Sequence, residues 1–427
     1  MKVVVVQQDL VTAWGRGMEA CWTGLLSGVP AFTEVSRFST KAFQAHLAAQ
    51  VPGLPEGGDA SRVMRMLNPL LIPLAGTLPE GTLVLLATTT GEVDLLERAM
   101  LGCLGEASLP LGEDQSNKGR EVSPRPPEDQ SRLDVLLGRI QSTLGVTEPG
   151  RIISAACASS SVAVAQGAAL IASGERDSVL VVACDAVTEF IYAGFASLMA
   201  LDPEGARPFD KARKGLTVGE AAGTVWLMSE DRARRENRPS QGEVAGWGMS
   251  CDANHMTGPS RDGGGLVRAI EKALQRAGLS AGAIGSISAH GTGTLYNDSM
   301  ELKAFQTVFT SQVDRDLRAR SDAARRSAST SGCLDYYETV SSGKPVPVYS
   351  VKGSLGHTMG ATGLIEMMVA LKSMERQVVP PSANLHEVDP EAVGWVSKHE
   401  VKVDGMNAVL STNSGFGGVN AALVLKS

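Results

Sequence analysis

Apolar positions along the chain gather into short runs that alternate with longer amphipathic stretches. Lys2-Val3-Val4-Val5-Val6 predicts a fully buried strand at the start of an α/β domain. Met18 to Ser27, with Trp22, Leu25 and Leu26 on one side and Gly28 behind it, has helical spacing. Ser61 to Leu67 begins another helix, on which Arg62 and Arg65 share an exposed face at i, i+3. Leu83-Val84-Leu85-Leu86-Ala87 predicts a second buried strand, and Leu133 to Leu144 a helix leading into the apolar Arg151-Ile152-Ile153. Val162 to Ser173 is rich in alanine and stops at Gly174, and Val179 to Ala183 reads as a further buried strand. Strands alternating with helices in this way imply a largely parallel, layered α/β core.

The second half repeats the plan. Leu266 to Ala277 is an amphipathic helix stopped by Gly278, followed by the strand-like Ile284 to Ala289. Val346 to Val351 is another such strand, Gly363 to Met374 a helix, and Ala408 to Ser411 a strand leading into a glycine turn. Two stretches break the pattern. Gly105 to Ser131 and Asp314 to Ser331 are charged and rich in Ser, the first also in Pro and Gly, and read as surface excursions.

A length of 427 residues exceeds what one simple core usually holds, so two subdomains or an internal duplication are expected. The division is placed at 1–240 and 241–427. A net charge of −7 argues against a general nucleic-acid binder. Six cysteines, at 21, 103, 157, 184, 251 and 333, lack paired spacing, which predicts reduced thiols and neither a disulfide framework nor a metal site. No signal peptide and no run of about 18 apolar residues is visible, so a cytoplasmic protein without a membrane span is expected.

Chemistry concentrates at Ile153-Ser154-Ala155-Ala156-Cys157-Ala158-Ser159-Ser160-Ser161. Cys157 falls where a strand turns into a helix N-terminus, whose dipole favours the nucleophilic thiolate. A buried structural cysteine would fit as well. Two histidines shift the balance. His290 opens His290-Gly291-Thr292-Gly293-Thr294, and His357 sits in Lys352-Gly353-Ser354-Leu355-Gly356-His357-Thr358, each after a predicted strand. One Cys with distant histidines is the pattern of a nucleophile and its helpers.

These stretches resemble the β-ketoacyl synthases. Ala156-Cys157-Ala158-Ser159-Ser160, the His290 motif with Asp298 and Glu301 behind it, and Lys352 ahead of Gly356-His357-Thr358 look like the elongating synthases of type II fatty acid and polyketide assembly. Arg207-Pro208-Phe209-Asp210, Gly219-Glu220 and Gly415-Phe416-Gly417-Gly418 match further stretches in the family's order. The resemblance implies a duplicated thiolase-like fold of α/β/α/β/α layers with mixed sheets. It implies an acyltransferase that joins a Cys157-bound acyl group to a malonyl unit carried by an acyl carrier protein, with loss of CO₂. No cofactor belongs to the enzyme itself, since the substrates ride on the carrier's phosphopantetheine.

The resemblance also suggests roles. Cys157 accepts the acyl group, and the backbone N–H groups of Cys157 and Phe416 form the oxyanion hole, a donor there contributing about 3 kcal/mol. His290 and His357, neutral and donating, stabilise the enolate left by decarboxylation. Lys352 is expected to pair with Glu301 and so orient His357, with Asp298 supporting the same turn. Thr292 and Thr294 are placed to bind the phosphopantetheine amides. Arg62, Arg65, Arg207 and Lys211 are the candidates for docking the acidic carrier. A homodimer, or a heterodimer with a related subunit, is expected, with Val179 to Ala183 contributing to the interface.

The chain also departs from the pattern. Where elongating enzymes read Asn-Ser-Phe-Gly-Phe-Gly-Gly-Thr-Asn, it keeps Phe416, the gate of the acyl pocket in relatives, but carries Ser414 for the first Phe and Val419 for the Thr. Gly-Glu-Gly-Ala has become Gly219-Glu220-Ala221-Ala222, and the opening Val-Thr-Gly-x-Gly has become Val6-Gln7-Gln8-Asp9-Leu10. These point to a specialised pathway. Two alternatives stand beside the leading reading. One is a non-catalytic partner of the chain-length-factor type, which usually lacks the cysteine. The other is a thiolase or initiating synthase that takes acyl-CoA, which would carry a second reactive cysteine or an Asn for the second His.

Overall fold

The computed structural model describes residues 1–55, 58–107, 131–310 and 345–427. Ten strands carry the architecture: β1 (Val3–Thr12), β2 (Leu83–Ala87), β3 (Arg151–Ile153), β4 (Ser178–Asp185), β5 (Ala221–Ser229), β6 (Glu243–Cys251), β7 (Ser286–Ser288), β8 (Val348–Tyr349), β9 (Ala408–Gly415) and β10 (Val419–Lys426). They lie in the order β8-β7-β9-β10-β6-β1-β5-β4-β2-β3. The first five in the chain order themselves as first, fifth, fourth, second, third, and so do the last five. In each set the first two neighbouring pairs are antiparallel and the other two parallel. The sets meet at β1 and β6, where Val4 faces Glu243. This is the duplicated, mixed-sheet arrangement expected of a thiolase-like fold.

Strand alternation assigns the apolar residues to layers. Val3 and Val5 face a central core together with Leu83, Leu85, Val179, Val181, Leu423 and Leu425. Val4, Val6, Val84, Leu86, Leu180 and Val182 face an outer core under the helices Arg62–Leu71 and Leu133–Leu144. A third core lies under Gly264–Ala277 and Leu295–Phe305. Two helices fill the middle layer, α1 (Ser159–Ala172) and α2 (Thr362–Arg376), and α2 is buried from Thr362 through Met374. Both are buried over most of their length because each packs against strands of both sets.

Three expectations need correction. β1 runs to Thr12, well past Val6, because Gln7, Gln8 and Asp9 continue the ladder with β5 after a register shift. β4 cannot form an interface edge: it is buried throughout and hydrogen-bonded on both sides, to β2 and to β5. Among the described residues the sheet's open edge in this half is β3, which pairs with β2. Arg62 is not on an exposed face. Ser61 caps its helix by accepting from the Met64 N–H at 3.0 Å, and that start turns Arg62 inward to 8% exposure against Glu220.

The first excursion begins inside the helix Val93–Ala107; residues 108–130, and the whole of 314–331 with Cys333, lie outside the described residues. Cys21, Cys157 and Cys184 are buried free thiols and Cys251 is an exposed one. Among the described residues no helix is long and apolar enough to cross a membrane.

Candidate active site

Cys157 stands two residues before α1. The chain leaves β3, turns through Ala156 in the left-handed region at φ +48°, and is locked by Ser159, whose hydroxyl accepts from the Ala155 N–H at 2.9 Å and donates to the Ala156 carbonyl at 2.6 Å. Gly415 lets the glycine turn close on this bend, since a Cβ there would lie 3.0 Å from the Ala155 carbonyl oxygen and 3.2 Å from the Cys157 nitrogen. The Cys157 and Phe416 amides both act on the Cys157 sulfur and favour its anion.

That help does not win. Burial pushes the Cys157 thiol up to about 12, against the opposing pull of the Lys352 charge and the two amides, with nearby Asp185 adding to the rise. The helix end favours the thiolate, as expected, without yielding one at rest. Removing the sulfur from water outweighs a dipole effect of about 1 kcal/mol.

His290 and His357 are each 2% exposed, their ring centres 5.3 Å apart and nearly perpendicular. A nitrogen of each ring and the Cys157 sulfur lie within 4.8 Å of one another. The protons on these rings follow from their neighbours. Nδ1 of His290 faces the Lys352 ammonium and the Asn413 side-chain amide, both at 3.3 Å. Nδ1 of His357 accepts from the Met359 N–H at 2.9 Å. An ammonium and a backbone N–H can only donate, so each Nδ1 is an acceptor and each proton sits on Nε2. Burial, reinforced by the Lys352 charge, holds both rings well below the ordinary histidine range, so they stay neutral.

A thiol and two imidazoles at this spacing resemble a zinc ligand set. Ligation needs a bare ring nitrogen, and here the donors crowding both Nδ1 atoms keep Nε2 protonated. The arrangement instead offers two neutral N–H donors beside a sulfur nucleophile, which suits an oxygen that gains negative charge.

Lys352 is fully buried, and its partner differs from the one expected. Its Nζ lies 2.5 Å from Glu366 Oε1 on α2 and donates to the His290 carbonyl oxygen. It therefore braces His290, not His357. Glu301 is taken up by the turn after β7: the N–H groups of His290 and Gly291 reach its two oxygens at 2.8 and 2.6 Å, and Asn297 donates at 2.9 Å. Burial pushes Glu301 up to about 8 and Glu366 to about 7, against the pull of these donors and of Lys352. Asp298 accepts from the N–H groups of Phe209, Thr292 and Gly293, tying the Arg207-Pro208-Phe209-Asp210 loop to the His290 turn.

Glu366 and Asn413 escaped the sequence reading. Glu366 had a signal, being the one acid in the apolar stretch from Gly363 to Met374. Asn413 had none.

A cavity of about 990 Å³ opens over Cys157, His290 and His357. Thr292, Thr294 and Phe416 line it, the two threonine hydroxyls 2.8 Å apart. The Phe416 ring lies 6.2 Å from Phe195, which is itself 6.2 Å from His357.

The four docking candidates do not form a patch. The Arg62 side chain binds both oxygens of Glu220, at 2.9 and 2.7 Å through Nε, because that carboxylate is buried and needs a cation. Arg207 is 8% exposed and pairs with Asp202 at 3.3 Å and Glu204 at 2.9 Å. Arg65 donates to the Pro55 carbonyl, and Lys211 is exposed but paired with Glu387 at 2.7 Å.

Comparison with known proteins gives a consistent result. Residues 99–233 match the family model of the β-ketoacyl synthase N-terminal domain, and residues 241–321 and 328–386 that of the C-terminal domain. The chain is 28% identical over 453 residues to the 3-oxoacyl-[acyl-carrier-protein] synthase 2 of Rhizobium meliloti (strain 1021), covering 100% of this chain and 98% of that one. It is 30% identical over 442 residues to a chain of Streptomyces halstedii named as a polyketide beta-ketoacyl synthase 1, covering 99% and 97%. Among solved structures, the ishigamide ketosynthase/chain length factor aligns with a TM-score of 0.78 at 29% identity, over 100% of this chain and 99% of that one. A beta-ketoacyl synthase from Burkholderia phymatum STM815 aligns with a TM-score of 0.79 at 25% identity, again over 100% and 99%.

Proposed function

Because this chain belongs to the β-ketoacyl synthase family, we propose that it is a 3-oxoacyl-[acyl carrier protein] synthase that elongates an acyl chain by decarboxylative condensation. The observation that carries the reading is the Cys157 sulfur within 4.8 Å of two buried imidazoles whose Nε2–H groups are both free to donate into one cavity.

In this reading the carrier-bound acyl carbon forms a bond to Cys157 Sγ while the amides of Cys157 and Phe416 hold the tetrahedral oxygen. The carrier sulfur leaves and ends with the proton that Cys157 gave up. The exchange is proton-neutral overall, so a thiol with a raised pKa needs no permanent base. A malonyl thioester then enters. Its bond to the carboxylate breaks, CO₂ departs, and the electron pair passes to the thioester oxygen, where the Nε2–H groups of His290 and His357 meet it. The enolate carbon attacks the acyl group, the bond to Sγ breaks, and Cys157 leaves as thiolate and takes from solvent the one proton that the overall reaction consumes. The thiolate, though disfavoured at rest, is formed here facing the same two amides.

The partners follow from the reaction: an acyl carrier protein, and a second subunit, identical or related. We propose the open edge of β3 for the subunit contact, since it presents unpaired backbone groups. Thr292 and Thr294 would contact the pantetheine arm. The division at 1–240 and 241–427, a cytoplasmic location and a specialised pathway belong to the same proposal. The test is to supply purified enzyme with acyl and malonyl carriers and weigh the products. The expected product is a carrier-bound β-ketoacyl chain two carbons longer, with CO₂ released. Absence of both, from a folded protein given its subunit partner, would leave the non-catalytic partner reading instead.

A further inference from the structure

We propose that Asn413 is a positioning residue for His290, holding that ring in the tautomer that donates from Nε2. The inference rests on the condensing reading above, which gives the Nε2 proton its use.

The side-chain amide of Asn413 has one orientation compatible with its surroundings. Its Oδ1 accepts from the Ser161 hydroxyl on α1. Its Nδ2 faces Glu366 Oε2 at 2.7 Å and His290 Nδ1 at 3.3 Å. Turning the amide over would set Oδ1 against a carboxylate and strip the Ser161 hydroxyl of its acceptor. The amide's two protons therefore go to Glu366 and His290, and no polar atom of the side chain is left over. Close packing makes this possible. A Cβ at Gly363 would lie 2.1 Å from the Ser161 hydroxyl oxygen and 2.7 Å from Asn413 Oδ1, so only glycine admits α2 there.

Asn413 thus touches three parts of the site at once: the helix behind Cys157, the carboxylate that pairs with Lys352, and the histidine itself. Lys352 also faces His290 Nδ1, but its ammonium is divided among that nitrogen, the His290 carbonyl and Glu366 Oε1. The charged and titratable groups around the ring are Lys352, Glu366, Glu301, His357 and Cys157. Of the neutral side chains, Asn413 is the one hydrogen-bonded to Nδ1 among the described residues. An Asn413→Asp change would replace that donor with an acceptor. With the new carboxylate accepting from Nδ1 and competing with it for the Lys352 ammonium, the ring would carry a proton on Nδ1, and a neutral ring would present a bare Nε2 to the enolate oxygen.

The test separates the two half-reactions and reads the tautomer directly. Wild-type enzyme is first shown to decarboxylate malonyl carrier and to acylate Cys157; failure of both would sink the condensing reading, independent of Asn413. With an active wild type, Asn413→Ala should slow decarboxylation on the order of tenfold, the worth of one buried hydrogen bond. Asn413→Asp should slow it more, on the order of a hundredfold. Acylation of Cys157 should fall far less in both. Nitrogen-15 NMR should show the His290 proton on Nε2 in wild type and a protonated Nδ1 in Asn413→Asp. If the aspartate variant does not fold, Asn413→Ala decides alone. Equal loss of both half-reactions, an unchanged decarboxylation rate, or a wild-type ring protonated on Nδ1 would overturn the proposal.

Discussion

The ammonium of Lys352 lies 3.3 Å from Nδ1 of His290, and both side chains are buried. Together with the Asn413 amide, also 3.3 Å from that nitrogen, the contact keeps the ring's proton on Nε2, and the cation is tolerated there because Glu366 neutralises it at 2.5 Å.

Losing the cation of that pair should cost more than neutralising its carboxylate. Lys352→Met leaves Glu366 buried without its cation and is expected to destabilise the protein by about 3–5 kcal/mol. Glu366→Gln should be milder, because the amide oxygen can still accept from Lys352. Thermal melts of the two variants check the order, and a Lys352→Met protein as stable as wild type would contradict it.

Cys157 should behave as a thiol, not a resting thiolate. With its pKa pushed up to about 12, the thiolate fraction rises tenfold for each pH unit across the range below that value. Alkylation of Cys157 by iodoacetamide, followed by peptide mass, should therefore climb about tenfold from pH 7 to 8 and again from 8 to 9. A rate that levels off near neutral pH would show that the helix dipole prevails after all.

The histidines should serve decarboxylation more than acyl transfer. His290→Ala or His357→Ala is expected to lower malonyl decarboxylation by about a hundredfold or more, while some acylation of Cys157 persists. Both rings are held below the ordinary range, so they are uncharged at neutral pH and remain so on moderate acidification. The wild-type decarboxylation rate should accordingly show no loss between pH 7.5 and about 6 from imidazole protonation. A half-loss near pH 6.5 would mean that an ordinary histidine is titrating.

Arg62 should prove structural. Arg62→Glu places two carboxylates together in a site where Arg62 is 8% exposed and Glu220 fully buried, and should unfold or strongly destabilise the protein, by about 3–5 kcal/mol. Lys211→Glu, on an exposed ion pair, should leave stability nearly unchanged. Melting temperatures test this, and a stable Arg62→Glu enzyme impaired only toward carrier-bound substrate would restore Arg62 as a docking residue.

Much of the site was legible in the chain because its chemistry uses rare residue types at the ends of apolar runs. Cys157, His290 and His357 stand out among small polar neighbours, and the strands before them bring them to one cavity. What could not be read was which neighbour each charged side chain meets. Glu301 and Glu366 are both acids on helices near the site, and only the assembled fold decides that Lys352 meets Glu366. The i, i+3 spacing of Arg62 and Arg65 says that they share a side, not that the side faces water. The raised Cys157 pKa was hidden for the same reason, since burial is a property of the assembled layers. The sheet's duplicated order also depends on pairings between strands far apart in sequence, which local pattern does not specify.

The measurement that bears most directly on the central claim is the intact and peptide mass of the enzyme after exposure to an acyl carrier and then to malonyl carrier. The account predicts one acyl group on Cys157, discharged on the second addition as a β-ketoacyl carrier, and no adduct in Cys157→Ala. An acyl group on Cys184 or Cys251, or full acylation of Cys157→Ala, would contradict it.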